Sequence, residues 1–413
     1  MKINRPKYIE QLLNARENGL IKIVTGMRRC GKSYLLSNLF VDALKQYGVN
    51  EEEILFVNMD SLRSRKYRNP EHLLDTIELF CNVSDKMHYV IIDEVQMVED
   101  FTELLNSLLH IPNLDVYVTG SNSRFLSTDI ATEFRGRSYE IHLFPLSFAD
   151  YLSSTDGDLG KAWDYYKQYG GLPALVSMNT EERIAYLKQL STTLYLRDIV
   201  ERHNVENTSE LRELIRVLAS SVGSLTNATN LSNTFASKKR LSLSDNTVSK
   251  YIKYFEEAFL IEKSVRYDIR GKQYIGAQAK YYFQDVGIRN ALLSFRQSDD
   301  GHVMENVVYN ELCSRGYSVD VGNVIVRPQG MPRQTLEVDF VANKGSKRYY
   351  IQSAYQMLTD EKIAQEKRSL LHINDSFKKI VLTMGFQSPR HDEDGIVTMG
   401  LYQFLSDPDS LDR

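Results

Sequence analysis

Eight consecutive residues, Gly26-Met27-Arg28-Arg29-Cys30-Gly31-Lys32-Ser33, set two glycines, a lysine and a hydroxyl in the spacing GxxxxGK[ST]. Glycines there free backbone N–H groups to curl around an anion, and a helix starting at the lysine adds unpaired donors and about half a positive charge. A phosphate suits such a cradle. In this pattern Lys32 reaches the β- and γ-phosphates of ATP and the Ser33 hydroxyl ligates Mg²⁺, while Gly26, Arg28, Arg29, Cys30, Gly31 and Tyr34 line the nucleotide. Downstream, the apolar run Tyr89-Val90-Ile91-Ile92 ends in Asp93-Glu94. Two carboxylates at the end of a buried strand sit where α/β sheets bind ligands. Asp93 then completes the Mg²⁺ shell and Glu94 polarises the attacking water. Alone, the first pattern also fits a glycine turn and the second an ordinary strand end. Together they predict an ATP-hydrolysing site.

Such a site needs a sheet and a helix to hold it. Short β-rich runs at Ile21–Thr25, Ile54–Asn58, 89–92 and 116–119 alternate with amphipathic stretches, the pattern of a parallel sheet covered by helices. After the glycine loop, Leu35, Leu36, Leu39, Phe40, Ala43 and Leu44 form the apolar face of a helix. From residue 161 to about 219 the period is helical, with Leu211, Leu214, Ile215 and Leu218 on one face. Residues from about 220 to 285 pair two short helical patterns with an alternating segment, RYDIRGKQYIGAQAKYYF, which predicts a β-hairpin and hence a winged helix. The remainder predicts a helix at 304–315, strands at LEVDFVA and RYYIQSA, another helix and the strand KKIVLTM. The fold expected is α/β: a P-loop core at 1–155, a helical lid at 156–219, a winged helix at 220–290 and an α/β domain at 300–413.

The length of 413 residues fits two or three domains. An apolar fraction of 42% and a charged fraction of 25% exclude wholesale disorder and a fibrous repeat. No apolar run approaches a membrane span, and the start MKINRPKYIEQLLNA lacks the apolar core of a secretory signal, so a cytoplasmic chain is expected. Cys30, Cys81 and Cys313 stand far apart and predict reduced thiols rather than a disulfide or zinc site. Cys30 lies beside the helix N-terminus, which would favour a thiolate and redox control; a small residue tolerated in the loop is the plainer alternative. The net charge of −4 argues against a chain-wide nucleic-acid coat and leaves room for a local basic surface.

The segments GMRRCGKS, IIDEVQ, VTGSNSRFL, FRGRSYEIHLFPLSF and YGGLP resemble those of prokaryotic AAA-family ATPases whose C-terminal region is a domain of unknown function similar to restriction endonucleases. The likeness covers nearly the whole chain. It implies that Ser121 or Asn122 is the polar sensor of the γ-phosphate, although a polar turn would read the same. It places Arg135 and Arg137 as charge-compensating arginines, acting in their own subunit or in a neighbour's. Pro173, in Gly170-Gly171-Leu172-Pro173, would lie beside the adenine, unless the turn only breaks a helix. In the C-terminal region Glu305, Asp339 and the strand YYIQSA stand where restriction-endonuclease-like folds keep a glutamate, an aspartate and an ExK motif. The ExK positions here read Gln352-Ser353-Ala354. An amide is a poor ligand for a hard cation and alanine supplies no charge, so a domain that folds without cutting is expected, at most with a weak metal site at Glu305 and Asp339. A substitute lysine would have to come from the following helix, as Lys362.

Residues 232–282 carry ten Lys or Arg against five Asp or Glu, net +5 in an acidic chain. A helix at 246–259, with Val248, Ile252, Phe255 and Phe259 inward and Ser249, Lys250 and Lys253 outward, would present this charge to DNA through residues 238–280. Glu256 and Glu257 oppose a phosphate backbone and suit a protein partner. The oligomeric state is left open.

Overall fold

The computed structural model describes residues 3–120, 134, 136–155, 157–239, 243–296, 299–327, 332–357 and 359–413. The chain divides into two compact units. The first comprises residues 1–145, 172–174 and 257–259; the second comprises 146–171, 175–256 and 260–413.

In the first unit β1 (Ile21–Thr25), β2 (Ile54–Asn58), β3 (His88–Asp93), β4 (Leu114–Thr119) and β5 (Ser138–His142) form one sheet in the order β2-β3-β4-β1-β5. Every neighbouring pair is parallel. Strand β4 thus separates the strand that leads into the glycine loop from the strand that ends in the two carboxylates. Side chains alternate between two covered faces, as period 2 requires. Ile21, Ile23, Val90, Ile92, Val116 and Val118 pack with Leu73 and Ile77 of the helix Pro70–Cys81 and with Leu104, Leu105 and Leu108 of the helix Phe101–Leu108. On β4, Tyr117 packs against Phe40 with the rings tilted by 48° and their centroids 4.5 Å apart, so the helical stretch after the glycine loop bears on that strand. This stretch runs from Lys32 through one π-helical segment, Leu35–Phe40, to Gln46, and buries the six apolar residues expected of it.

A lysine in a fully buried strand requires a partner. Lys22 of β1 is bonded to Asp115 of β4, which also accepts the Tyr117 hydroxyl at 2.8 Å and the Glu17 N–H at 3.0 Å. Burial pushes the Lys22 pKa down, and the Asp115 carboxylate opposes that shift.

The second unit opens with helices, among them Leu159–Tyr169, Thr180–Gln189, Tyr195–His203 and Thr208–Ser220, the last burying Leu211, Leu214, Ile215 and Leu218 as its period predicts. Its sheet contains β6 (Ile261–Asp268), β7 (Gln273–Phe283), β8 (Ser318–Val326), β9 (Gln334–Lys344), β10 (Lys347–Ala354), β11 (Lys378–Thr383), β12 (Arg390–His391) and β13 (Ile396–Gly400). Their order is β12-β13-β11-β10-β9-β8-β6-β7. The hairpin expected as a wing does form, as β6 and β7, but it is not a free-standing wing. β6 pairs in parallel with β8, so the hairpin forms one edge of the C-terminal sheet. The helix Asp245–Glu257 precedes it, with Val248, Ile252 and Phe255 buried. No helix among the described residues is long and apolar enough to cross a membrane.

Candidate functional site

The glycine loop leaves β1 at a point where only glycine fits. Gly26 has φ +136°, and a Cβ there would stand 2.3 Å from the Leu143 carbonyl oxygen. The loop is closed by its own lysine: Lys32 Nζ donates to the carbonyls of Gly26 at 2.9 Å and Met27 at 3.0 Å. Those are the bonds a bound phosphate would replace. Arg29 is exposed and sits at φ 71°, a left-handed conformation. Tyr34 is 42% exposed, beside the exposed Ser33. Pro173 lies against the same loop, its Cγ 3.5 Å from where a Cβ on Gly31 would be.

At the ends of β3 and β4 one threonine holds the Asp93 carboxylate and the Glu94 backbone. Thr119 Oγ1 donates to Asp93 Oδ1 at 2.6 Å and accepts the Glu94 N–H at 2.9 Å. Ser33 also hydrogen-bonds Asp93, which brings the loop hydroxyl and the strand carboxylate together. Burial pushes the Asp93 pKa up, while the Thr119 and Ser33 hydrogen bonds pull it back. Two hard oxygen donors side by side at the mouth of a phosphate loop suit Mg²⁺. Glu94 adopts φ 57°, ψ 50°, costly for a residue with a Cβ, and its carboxylate accepts from Gln96 Nε2. Neither Thr119 nor Gln96 is assigned by motif; only the register of β3 against β4 reveals the threonine.

Other expectations are redrawn. Cys30 is 1% exposed, and burial raises its pKa more than the Lys32 charge lowers it, so it is a buried thiol and not a reactive thiolate. Arg137 precedes β5, where its carbonyl accepts from Ile21 N, and its guanidinium donates to Asn106 Oδ1 at 3.2 Å. That is the amino end of β1, the edge opposite the glycine loop. Ser121, Asn122 and Arg135 lie outside the described residues. In the second unit, the Gly170-Gly171 turn is clamped by Asp285, which accepts from Gly171 N at 2.7 Å and Ile288 N at 2.9 Å. Burial pushes the Asp285 carboxyl up to about 6.

The C-terminal sheet gathers Glu305, Glu337 and Asp339 around Lys280 of β7. Lys362 instead pairs with Glu366 one turn along its own helix, 2.6 Å apart. Gln352 Oε1 accepts from Asp339 N at 3.4 Å, and Ala354 is buried in an apolar cluster. Burial pushes the Asp339 carboxyl up to about 7 despite Lys280.

The basic segment is also thinner than its composition suggests. Lys280 is 2% exposed, whereas Arg270 stays exposed while donating to the carbonyls of Ile325 and His372. Lys250 and Lys253 are exposed. Beside them opens a groove of about 640 Å³ lined in part by His203, Glu206, Glu210, Thr247, Lys250 and Tyr254. Two glutamates in that lining weaken it as a bed for phosphates.

A family model described as an AAA domain matches residues 18–152, and another, a domain of unknown function (DUF8612), matches residues 160–299. An uncharacterized protein of Haemophilus influenzae is 35% identical over 408 residues, 98% of each chain. The uncharacterized protein MJ1544 of Methanocaldococcus jannaschii is 24% identical over 406 residues, 92% of this chain and 87% of its own. The solved Aeropyrum pernix ORC1 protein in complex with DNA aligns at 12% identity over 71% of this chain and 92% of that one, with a TM-score of 0.30, too low to carry weight. With a full-length relative at that identity and a P-loop AAA domain at its amino end, the chain belongs to the family of the Haemophilus influenzae protein.

Proposed function

We propose that the chain is an ATP-hydrolysing switch whose turnover is coupled to a macromolecular partner. The observation that supports it is the convergence of Lys32, Ser33, Asp93 and Glu94 at one sheet edge, with Thr119 bonding to both acidic residues. Lys32 and the loop N–H groups would neutralise the β- and γ-phosphates; Ser33 and Asp93 would hold Mg²⁺. Bound Mg²⁺ would screen charge on the phosphates. Glu94 would orient the attacking water, since phosphoryl transfer depends on positioning and charge compensation. Ser121 or Asn122, just past Thr119, is proposed as the γ-phosphate sensor. Pro173 is proposed beside the adenine, and Arg135 or Arg137 as a charge-compensating cation, supplied by its own subunit or by a neighbouring copy. The C-terminal sheet is read as a nuclease-like domain that binds without cutting.

A second reading, an ATP-gated protein-binding module with little turnover, is favoured by the glutamates in the groove beside Lys250 and by the withdrawal of Lys280 from the surface. Phosphate release at saturating ATP, with and without duplex DNA, separates the two. Hydrolysis stimulated by DNA, with a stimulation that falls steeply as salt rises and weakens in Lys250→Ala/Lys253→Ala, supports a DNA-coupled switch. ATP binding without measurable turnover under either condition would refute it in favour of the gate.

A further inference from the structure

The resemblance to restriction endonucleases implies a divalent metal between Glu305, Asp339 and the neighbouring strand. The residues present do not fit one. Lys280 Nζ stands 2.8 Å from Glu305 Oε1, 2.7 Å from Glu337 Oε1 and 3.2 Å from Asp339 Oδ1. An ammonium has three N–H donors, and three carboxylates are there to accept them. Tyr282 donates to the same Glu305 Oε1 at 2.6 Å, His302 Nδ1 stands 3.6 Å from Glu305 Oε2, and Asp339 Oδ2 accepts Ser353 N at 2.9 Å. Lys280 cannot simply swing aside, because its side chain is 3% exposed and its strand is paired, Lys280 opposite Ser264 of β6. Among the described residues no group of three or more His, Cys, Asp or Glu is arranged to hold a metal ion.

We propose that Lys280 is the resident cation of this cluster, its ammonium standing where a metal would otherwise bridge Glu305 and Asp339. The same three carboxylates that would chelate Mg²⁺ or Mn²⁺ are neutralised from within by the hairpin. A second cation could enter only at the cost of close repulsion from the first. The lysine that the ExK strand lacks is thus present in the molecule, supplied by β7 and used as a bridge. The inference rests on the reading of this domain as nuclease-like and non-cutting, and it adds the reason: the metal position is filled.

The test uses the full chain, stripped of nucleotide and treated with EDTA, then titrated with MnCl₂ while free Mn²⁺ is followed by electron paramagnetic resonance and unfolding by thermal melt. Wild type should bind no Mn²⁺ that Asp339→Asn removes, and the melting temperatures of the two should respond to Mn²⁺ alike. Lys280→Ala should melt lower in EDTA, bind one Mn²⁺, and regain about 5 °C at saturation; adding Asp339→Asn should abolish the gain. Mn²⁺ bound by wild type and lost in Asp339→Asn would overturn the proposal, as would a folded Lys280→Ala indifferent to Mn²⁺. If Lys280→Ala does not fold with or without Mn²⁺, the wild-type and Asp339→Asn titrations decide alone. Mn²⁺ binding without cleavage of DNA or RNA would sink only this inference, whereas cleavage lost in Asp339→Asn would sink the non-cutting reading with it.

Discussion

Replacing Thr119 with valine separates the positioning of the carboxylates from their presence. Valine keeps the shape of the buried side chain but removes the donor to Asp93 and the acceptor for Glu94 N. A hydrogen bond to a charged group contributes about 1.5–3 kcal/mol and a neutral one about 1 kcal/mol, so about 2.5–4 kcal/mol of interaction is lost. Part of that loss destabilises the fold, and part is felt as freedom of Asp93 and Glu94 during turnover. If about half reaches the transition state, kcat falls roughly 10- to 30-fold, at about 1.4 kcal/mol per factor of ten. ATP affinity depends mainly on Lys32 and the loop, so it should change by less than about threefold. Thr119→Ser restores the hydroxyl and should stay within about threefold of wild type in both respects. Phosphate release and equilibrium binding of a fluorescent ATP analogue measure the two quantities. A Thr119→Val enzyme that turns over at the wild-type rate, or a serine variant as slow as the valine one, would refute the threonine's positioning role.

Two further predictions concern buried charge. Asp115→Ala strands Lys22 in the core and should destabilise the first unit by about 3–5 kcal/mol, whereas Lys22→Met/Asp115→Leu should recover most of that loss in urea denaturation; equal losses in the two proteins would refute the pairing. Asp285 has its folded pKa raised from 3.8 to about 6, so its protonated form is favoured by folding: the stabilisation is full below about pH 4 and is lost as pH rises through 6. The loss amounts to about 3 kcal/mol at about 1.4 kcal/mol per pKa unit. The difference in urea stability between wild type and Asp285→Asn should therefore shift by that amount between pH 4 and pH 7, against the variant at low pH. A constant difference would show that Asp285 does not titrate in that window.

What could be read from the sequence was local. The glycine loop was legible because its spacing sits between a β-rich run and a helical one, and β1 and β2 match the apolar runs residue for residue. β5 was not, because Ser138 and His142 are only partly buried, Tyr139 and Glu140 are exposed, and the strand forms no apolar run. Thr119 looks like any polar residue at a strand end until β3 and β4 are paired. Lys280 was misread for the same reason: from composition it is one more basic residue on a hairpin, while its partners lie 25 to 59 positions away. The hairpin itself was legible from alternation and turn residues, but its parallel pairing with β8 joins segments about 55 residues apart, which no local pattern encodes.

The most direct test of an ATP-hydrolysing site at this sheet edge compares Lys32→Ala with Glu94→Gln in paired measurements of ATP binding and phosphate release. Lys32→Ala should lose tight ATP binding, because the phosphate charge loses its counterion. Glu94→Gln should bind ATP as wild type does and release almost no phosphate, because only the water's partner is gone. A Glu94→Gln protein that hydrolyses ATP at the wild-type rate, or a Lys32→Ala protein that binds it as tightly, would contradict the assignment.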